Sequence, residues 1–324
     1  MHIAVSRMIR ITFLILCAVL VLYVLVLIIS YGVGRYIYSH ALETPEAIPF
    51  INNQNNTSWI ERQPPRESFS FLVLGDIQGG FRTLSQHIFK KSDGRYSFAI
   101  QTGDLMSHAD EGHYAQTLYE VRKSNLHIPL FVVPGNHDIN GKDPRLFEKY
   151  FAWKQFYFLW SNCLFIFLDN SSSPPYYSQF QWLEKTLEEN HMKARRTFIF
   201  MHRGPVECGG GKAHRPKDDF TPFFALLKKY RIDYVFCGHV HDYLRMELQG
   251  TMFVANGAES EMESFTVMPS YVTLVEVTPE KISDQKITIQ VSLFERMYGK
   301  MLDNMVAHIY PCLVYFSGKG GAEK

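Results

Sequence analysis

The sequence predicts an α/β domain with a mixed sheet or two sheets, held behind one N-terminal membrane-spanning helix. Three observations carry this. An uncharged apolar run occupies residues 11–34. From Phe69 onward, short runs rich in Phe, Val, Ile and Tyr alternate with helical stretches in βαβ fashion. Beyond residue 233 the apolar runs follow one another as strands.

The first element reads ITFLILCAVLVLYVLVLIISYGVG. A bilayer core needs about 20 apolar residues in a helix, and a soluble helix of that length would show a polar face. A cleavable signal peptide has a shorter apolar region of about 7–15 residues; YSHA at 38–41 would be its cleavage site in that competing reading. The expectation is a short segment 1–10 and a retained anchor 11–34. Arg7 and Arg10 precede the run and only Arg35 follows closely, so the positive-inside rule puts the N-terminus in the cytoplasm and the remainder on the non-cytoplasmic side.

Residues 43–67 are rich in Pro, Asn and Gln with no apolar period, which reads as a spacer within a linker 35–67. Asn55, Asn56 and Asn170 sit in N-x-S/T triplets, which arise often by chance. The domain proper runs from 68 to 316, followed by a tail 317–324. Its expected strands are 69–74, 96–101, 129–133, 155–160, 163–168, 196–200, 233–237, 243–248, 251–255, 271–277 and 286–293. Its expected helices are 80–90, 111–124, 143–151, 178–190 and 219–230. MVAHIYPCLVYF (305–316) is too short and interrupted to span a bilayer; it should pack on the domain, with contact to the bilayer surface as the alternative.

Composition is that of an ordinary globular chain, with 46% apolar residues, 20% charged residues and a net charge of +1. That balance gives no strong electrostatic case for nucleic-acid binding, a local basic patch being the alternative. The five cysteines are odd in number and irregularly spaced, with no CxxC, so they define neither a disulfide framework nor a zinc knuckle. Cys17 and Cys237 read as small hydrophobes; Cys208, beside a glycine run, is the one to test for exposure.

Several expected strands end in one chemical vocabulary. The first gives Gly75-Asp76, the second Gly103-Asp104, the third Gly135-Asn136-His137-Asp138; later come His202, and Gly238-His239 with His241. Open α/β sheets bind ligands beyond the carboxyl ends of their strands, and glycine there lets the backbone turn and approach closely. A lone GD is ordinarily a turn, and Asn, Asp and Gly are turn residues in their own right. Repetition in order after five apolar runs is what chance does not supply. Mixed oxygen and imidazole donors suit Mn, Fe or Zn, and two such ions about 3.5–4 Å apart can clamp both oxygens of a phosphoryl displacement.

At these residues the chain resembles the calcineurin-like metallophosphoesterase superfamily, over roughly 69–278. The resemblance implies a four-layer α/β/β/α sandwich with two divalent ions, Mn or Fe/Zn, at the sheet edges. It implies that Asp76 binds the first ion, that Asp104 bridges both, that Asn136, His202 and His239 complete the second site, and that His241 returns to the first. His137 would bind phosphate or protonate the leaving oxygen, with Asp138 holding its ring, and the nucleophile would be a metal-activated hydroxide. Where the family pattern is usually D-x-H, this chain has Asp76-Ile77-Gln78. An amide oxygen is a harder, weaker donor than imidazole, so Gln78 should leave the first ion weaker and more exchangeable.

RGPVECGGGKAHRPKDD, after His202, offers Arg203, Lys212, Arg215 and Lys217 to anionic oxygens, with a solvated loop as the alternative; Arg245 should point away. The expected function is hydrolysis of a phosphate ester at a membrane. The alternatives are a diphosphatase acting on a nucleotide- or lipid-linked diphosphate, such as a UDP-diacylglucosamine-like glycolipid precursor, and a non-catalytic scaffold.

Overall fold

The computed structural model describes residues 2–42, 48, 50–91, 94–124, 126–139, 141, 143–172, 176–207, 215–216, 218–257 and 271–316. Cys208, Lys212 and Lys217 lie outside them. Strands β1 Phe69–Leu74, β2 Ala99–Gln101 and β3 Leu130–Val132 run parallel; β12 Tyr271–Val277 and β13 Ile282–Thr288 add antiparallel beyond β1, giving the order β13-β12-β1-β2-β3. The second sheet is built from β4 Phe156–Trp160, β5 Cys163–Leu168, β6 Arg196–Arg203, β9 Tyr234–Gly238, β10 Tyr243–Leu248 and β11 Thr251–Asn256, in the order β10-β11-β9-β6-β5-β4. A two-stranded ribbon joins β7 Val206–Glu207 to β8 Arg215–Pro216.

Period-two alternation assigns each strand's side chains to layers. In β1, Phe69, Phe71 and Val73 face the second sheet and meet Phe98, Phe165, Phe198 and Phe200 in an aromatic layer. Leu72 and Leu74 face the other way, toward α3 Phe81–His87, α4 Glu111–Lys123 and α5 Arg145–Phe151. In the second sheet, Ile166, Ile199 and Val235 point outward onto α6 Tyr177–Asn190 and α7 Thr221–Lys229. Helices, sheet, sheet and helices form the four layers expected. Phe71 shows how tightly the sheets meet: its ring stacks on Phe98 at 5.0 Å and sits edge-on to Phe198 at 5.5 Å.

Three segments differ from expectation. The stretch read as a spacer contains α2 Asn53–Ile60. Asn53 donates to Val132 O (2.9 Å) and Trp153 O (2.7 Å) and accepts from Val132 N (2.9 Å), and Asn56 donates to Leu130 O at 3.0 Å. Two amides thus satisfy the open edge of β3, so the polarity that suggests a linker serves to dock a helix. Asn56 and Asn170 are buried, which closes both to glycosylation in the folded chain. The last expected strand, 286–293, is displaced: β13 ends at Thr288, and Ser292 caps α8 Leu293–Asp303 in a capping box with Glu295.

The N-terminal helix α1 runs unbroken from His2 to Leu42, about 60 Å at 1.5 Å per residue. Arg7–Ala41 is long and apolar enough to cross a membrane. Its last turns are buried in the domain at Ile37 and Ala41. There α1 meets α4, the π-helical turn Asn304–Ile309 and α9 Tyr310–Phe316. Tyr38 and Tyr31 pack on the Tyr310 ring at 4.8 and 5.6 Å. Residues 35–42 are therefore helix, and 305–316 packs on the domain and on α1.

Candidate metal centre

The carboxyl ends of β1, β2, β6 and β9 and the loop after β3 converge on one rim. Four candidate residues there have left-handed backbone: Asp76 (φ 51°), Gln78 (41°), Asp104 (54°) and His239 (68°). For non-glycine residues such conformations cost on the order of 1 kcal/mol each and persist where the surroundings fix them. Here the fixing is reciprocal. Asp76 N donates to Gly103 O and Gln78 N to Asp104 O, both at 3.0 Å. His239 N donates to both Asp76 oxygens at 3.0 and 2.9 Å, and His137 N to Asp104 Oδ1 at 2.9 Å. Two glycines are required by proximity: a Cβ on Gly135 would strike the Asp104 carboxylate, and one on Gly238 the Asp76 carboxylate.

Oxygen and nitrogen donors of Asp76, Asp104 and His241 all lie within 4.8 Å of one another, with His241 Nε2 at 3.5 Å from Asp76 Oδ1. His202 falls where β6 and β9 shift register, a bulge of the kind that re-aims side chains beside active sites. Its Nδ1 faces Thr102 O at 3.0 Å. A carbonyl only accepts, so Nδ1 carries the proton and Nε2 presents a lone pair. That Nε2 lies 3.4 Å from Asp104 Oδ1 and 3.0 Å from Asn136 Oδ1. Burial, the leading cause, lowers the His202 pKa to about 4 and keeps the ring neutral. Burial likewise raises the pKa of Asp76 and of Asp104. Two buried carboxylates beside the neutral His202 imidazole and His241, whose pKa the Asp76 carboxylate raises, form a donor set that fits divalent cations.

His137 and Asp138 behave differently from the sequence expectation. The His137 ring is held by Ser107 O, 2.7 Å from Nδ1, leaving Nε2 free and 4.0 Å from Asp104 Oδ2 on a side chain 41% exposed. Asp138 does not touch that ring. Its Oδ2 accepts from Asp104 N (2.8 Å) and Gly135 N (2.7 Å), and its Oδ1 from Met106 N (2.9 Å). It is a latch tying the loop after β2 to the loop after β3, and its short reach to three backbone N–H groups leaves nothing for the imidazole. Burial, then the charge of Asp104, pushes its pKa up to about 7.

Arg203 enters the centre itself. One guanidinium nitrogen donates to His239 Nε2 at 2.7 Å and the other to Asn136 Oδ1 at 3.2 Å, so this cation engages two of the donors expected at the second ion. Arg215 lies in β8, on the ribbon. Arg245 does point away, into a paired contact with Asp284 at 2.8 and 3.0 Å. Sequence reasoning missed Asn170, whose Oδ1 accepts from His202 N (2.9 Å) and Arg203 N (3.0 Å) while its Nδ2 donates to Arg203 O (2.7 Å). Its signal was present: Asp169-Asn170 directly follows β5, in the same strand-end position as the other site residues.

Comparison with known proteins agrees with this fold. The family model described as calcineurin-like phosphoesterase matches residues 69–243. A Colwellia psychrerythraea protein named "Probable cyclic nucleotide phosphodiesterase" is 27% identical over 150 residues, 44% of this chain and 55% of that protein, so the match spans about half the relative's length. Purple acid phosphatase PPD1 of yellow lupin superposes with a TM-score of 0.53 at 15% identity, over 71% of this chain and 53% of that one. GAP50, the anchor in the inner membrane complex of Plasmodium, gives 0.52 at 15% identity over 75% and 96%. A dimetal phosphatase from Danio rerio gives 0.50 at 14% identity over 68% and 99%. At these identities the solved structures establish the fold.

Proposed function

Because the chain belongs to the calcineurin-like phosphoesterase family, we propose that it is a membrane-anchored, divalent-metal-dependent phosphoesterase. The observation that carries the reading is the packing of Asp76, Asp104 and His241 within 4.8 Å, with both carboxylates buried. Asp76, Asp104 and His241 would hold one ion, and Asp104, Asn136, His202 and His239 the other, with Gln78 as a further oxygen donor to the first. When bound, the ions supply Lewis acidity and make water nucleophilic near neutral pH. His137, its Nδ1 proton fixed on Ser107 O, holds a proton at Nε2 for the leaving oxygen. With the second ion bound, Arg203 would yield Asn136 and His239 to it and could turn its guanidinium to a phosphate oxygen, which its planar fork fits. The apolar helix anchors the domain on the non-cytoplasmic side, where phosphate esters, lipid-linked ones included, are the substrates.

The test uses the full chain in detergent, with chromogenic phosphate mono- and diesters, with and without Mn2+. The expectation is Mn2+-stimulated turnover that Asp104→Ala abolishes together with two bound ions. A wild-type chain that binds both ions and hydrolyses neither ester class refutes the phosphoesterase reading.

A further inference from the structure

A second cluster of imidazoles and carboxylates lies where α4 meets the C-terminal helices. Asp110 caps α4, accepting from His113 N at 3.0 Å, and each of its oxygens lies 2.8 Å from His113 Nδ1. The carboxylate only accepts, so Nδ1 carries the proton and a neutral ring offers its lone pair at Nε2. That nitrogen is buried without a hydrogen-bond partner, on a side chain only 4% exposed, and it faces Asp303 Oδ1 at 3.6 Å. On the other oxygen of Asp303, His308 Nε2 stands at 3.5 Å. The three donors lie within 4.8 Å of one another.

These separations do not describe hydrogen bonds, which for a charged imidazole and a carboxylate close to about 2.7–2.9 Å. They match donors sharing one ion: bonds of about 2.0–2.1 Å at tetrahedral angles put two donors about 3.3 Å apart. The backbone is shaped to bring them together. Asp303 and His308 are five residues apart, which an α-helix at 3.6 residues per turn would splay by about 140°. The turn Asn304–Ile309 is instead π-helical, and i to i+5 bonding aligns such positions. Close approach of α4 depends on Gly112, where a Cβ would meet Ala307 Cα at 2.8 Å.

We propose that His113 Nε2, Asp303 and His308 Nε2 bind a divalent transition ion of the zinc type, separate from the phosphoesterase centre. Two imidazoles and one carboxylate favour zinc over magnesium or calcium. Asp110 on Nδ1 supplies the outer carboxylate that orients a ligating imidazole. The His108 ring lies 4.8 Å from that of His113 and 6.1 Å from that of His137. The ion staples α8 and α9, and through them α1, to the helix that follows the Asp104 loop.

The experiment strips the full chain in detergent with chelator, titrates it with Zn2+ alone, and counts bound zinc. In an Asp104→Ala background one zinc per chain should remain, and adding His308→Ala should weaken it at least a hundredfold. If Asp104→Ala does not fold, the wild type and His308→Ala are compared instead, and the exposed His308 variant should hold one zinc fewer. Equal zinc content and affinity with and without His308, in whichever background folds, overturns the site.

Discussion

Removing metal should make the folded chain progressively less stable as pH rises from about 4 to about 7. The cause is a buried carboxyl beside a second buried carboxyl. Asp138 is fully buried, and burial with the neighbouring charge of Asp104 moves its pKa from 3.8 to about 7. Between those values the folded state binds a proton that the unfolded state has released, so stability falls as pH climbs. The difference of about three pH units corresponds to on the order of 4 kcal/mol. For a domain of this size that is a fall of about 8–16 °C in Tm. Asp76 and Asp104, also raised by burial, act in the same direction. Ions reverse the sign, because donors must be deprotonated to bind and metal affinity grows with pH. The assay is thermal unfolding from pH 4 to 8 in chelator and in Mn2+, for wild type and Asp138→Asn. The wild type should lose stability with pH only in chelator, and Asp138→Asn should lose much of that slope. A chelated wild type whose Tm is flat or rising between pH 4 and 7 would refute the reasoning.

His137→Gln should leave ion content unchanged while slowing turnover about 10²–10⁴-fold, most for poor leaving groups; loss of metal in this variant would contradict its role. Gly135→Ala should drive a methyl group into the Asp104 carboxylate and remove both ions of the phosphoesterase centre, read as metal content and turnover together. Asn53→Ala leaves the buried N–H and C=O of Val132 and the part-buried C=O of Trp153 unpaired, at a cost of about 2–4 kcal/mol; denaturant unfolding should show that loss with metal content intact.

The site was legible where each residue needs only its own strand. Asp76, Asp104, Asn136, His202, His239 and His241 each follow an apolar run, and parallel strands deliver their carboxyl ends to one rim. What stayed hidden depends on partners distant in sequence. The amides of α2 resemble a linker until β3 stands beside them. The bulge at His202 exists only in the pairing of β6 with β9. Asp138 follows His137 directly, which suggests a partnership, yet its carboxylate is claimed by backbone N–H groups near residue 104. The capping box at Ser292 and Glu295 was readable, but the expected strand over 286–293 concealed it.

The same contrast bears on Gln78 and on the anchor. Asp76, Asp104 and His241 converge without the glutamine, while Gln78 N secures Asp104 O from a left-handed backbone. The residue is thus tied to the centre through its main chain. The anchor is fixed in a parallel way. A spacer after residue 34 would let the domain turn freely at the bilayer. Instead α1 continues into the domain to Leu42, Arg122 donates to His40 O at 2.5 Å, and Ile37 and Ala41 join the core beside α4. Since α4 follows the loop carrying Asp104, the apolar helix and that loop share one packed body, and with α1 in a bilayer the height and tilt of the rim would follow from helix packing.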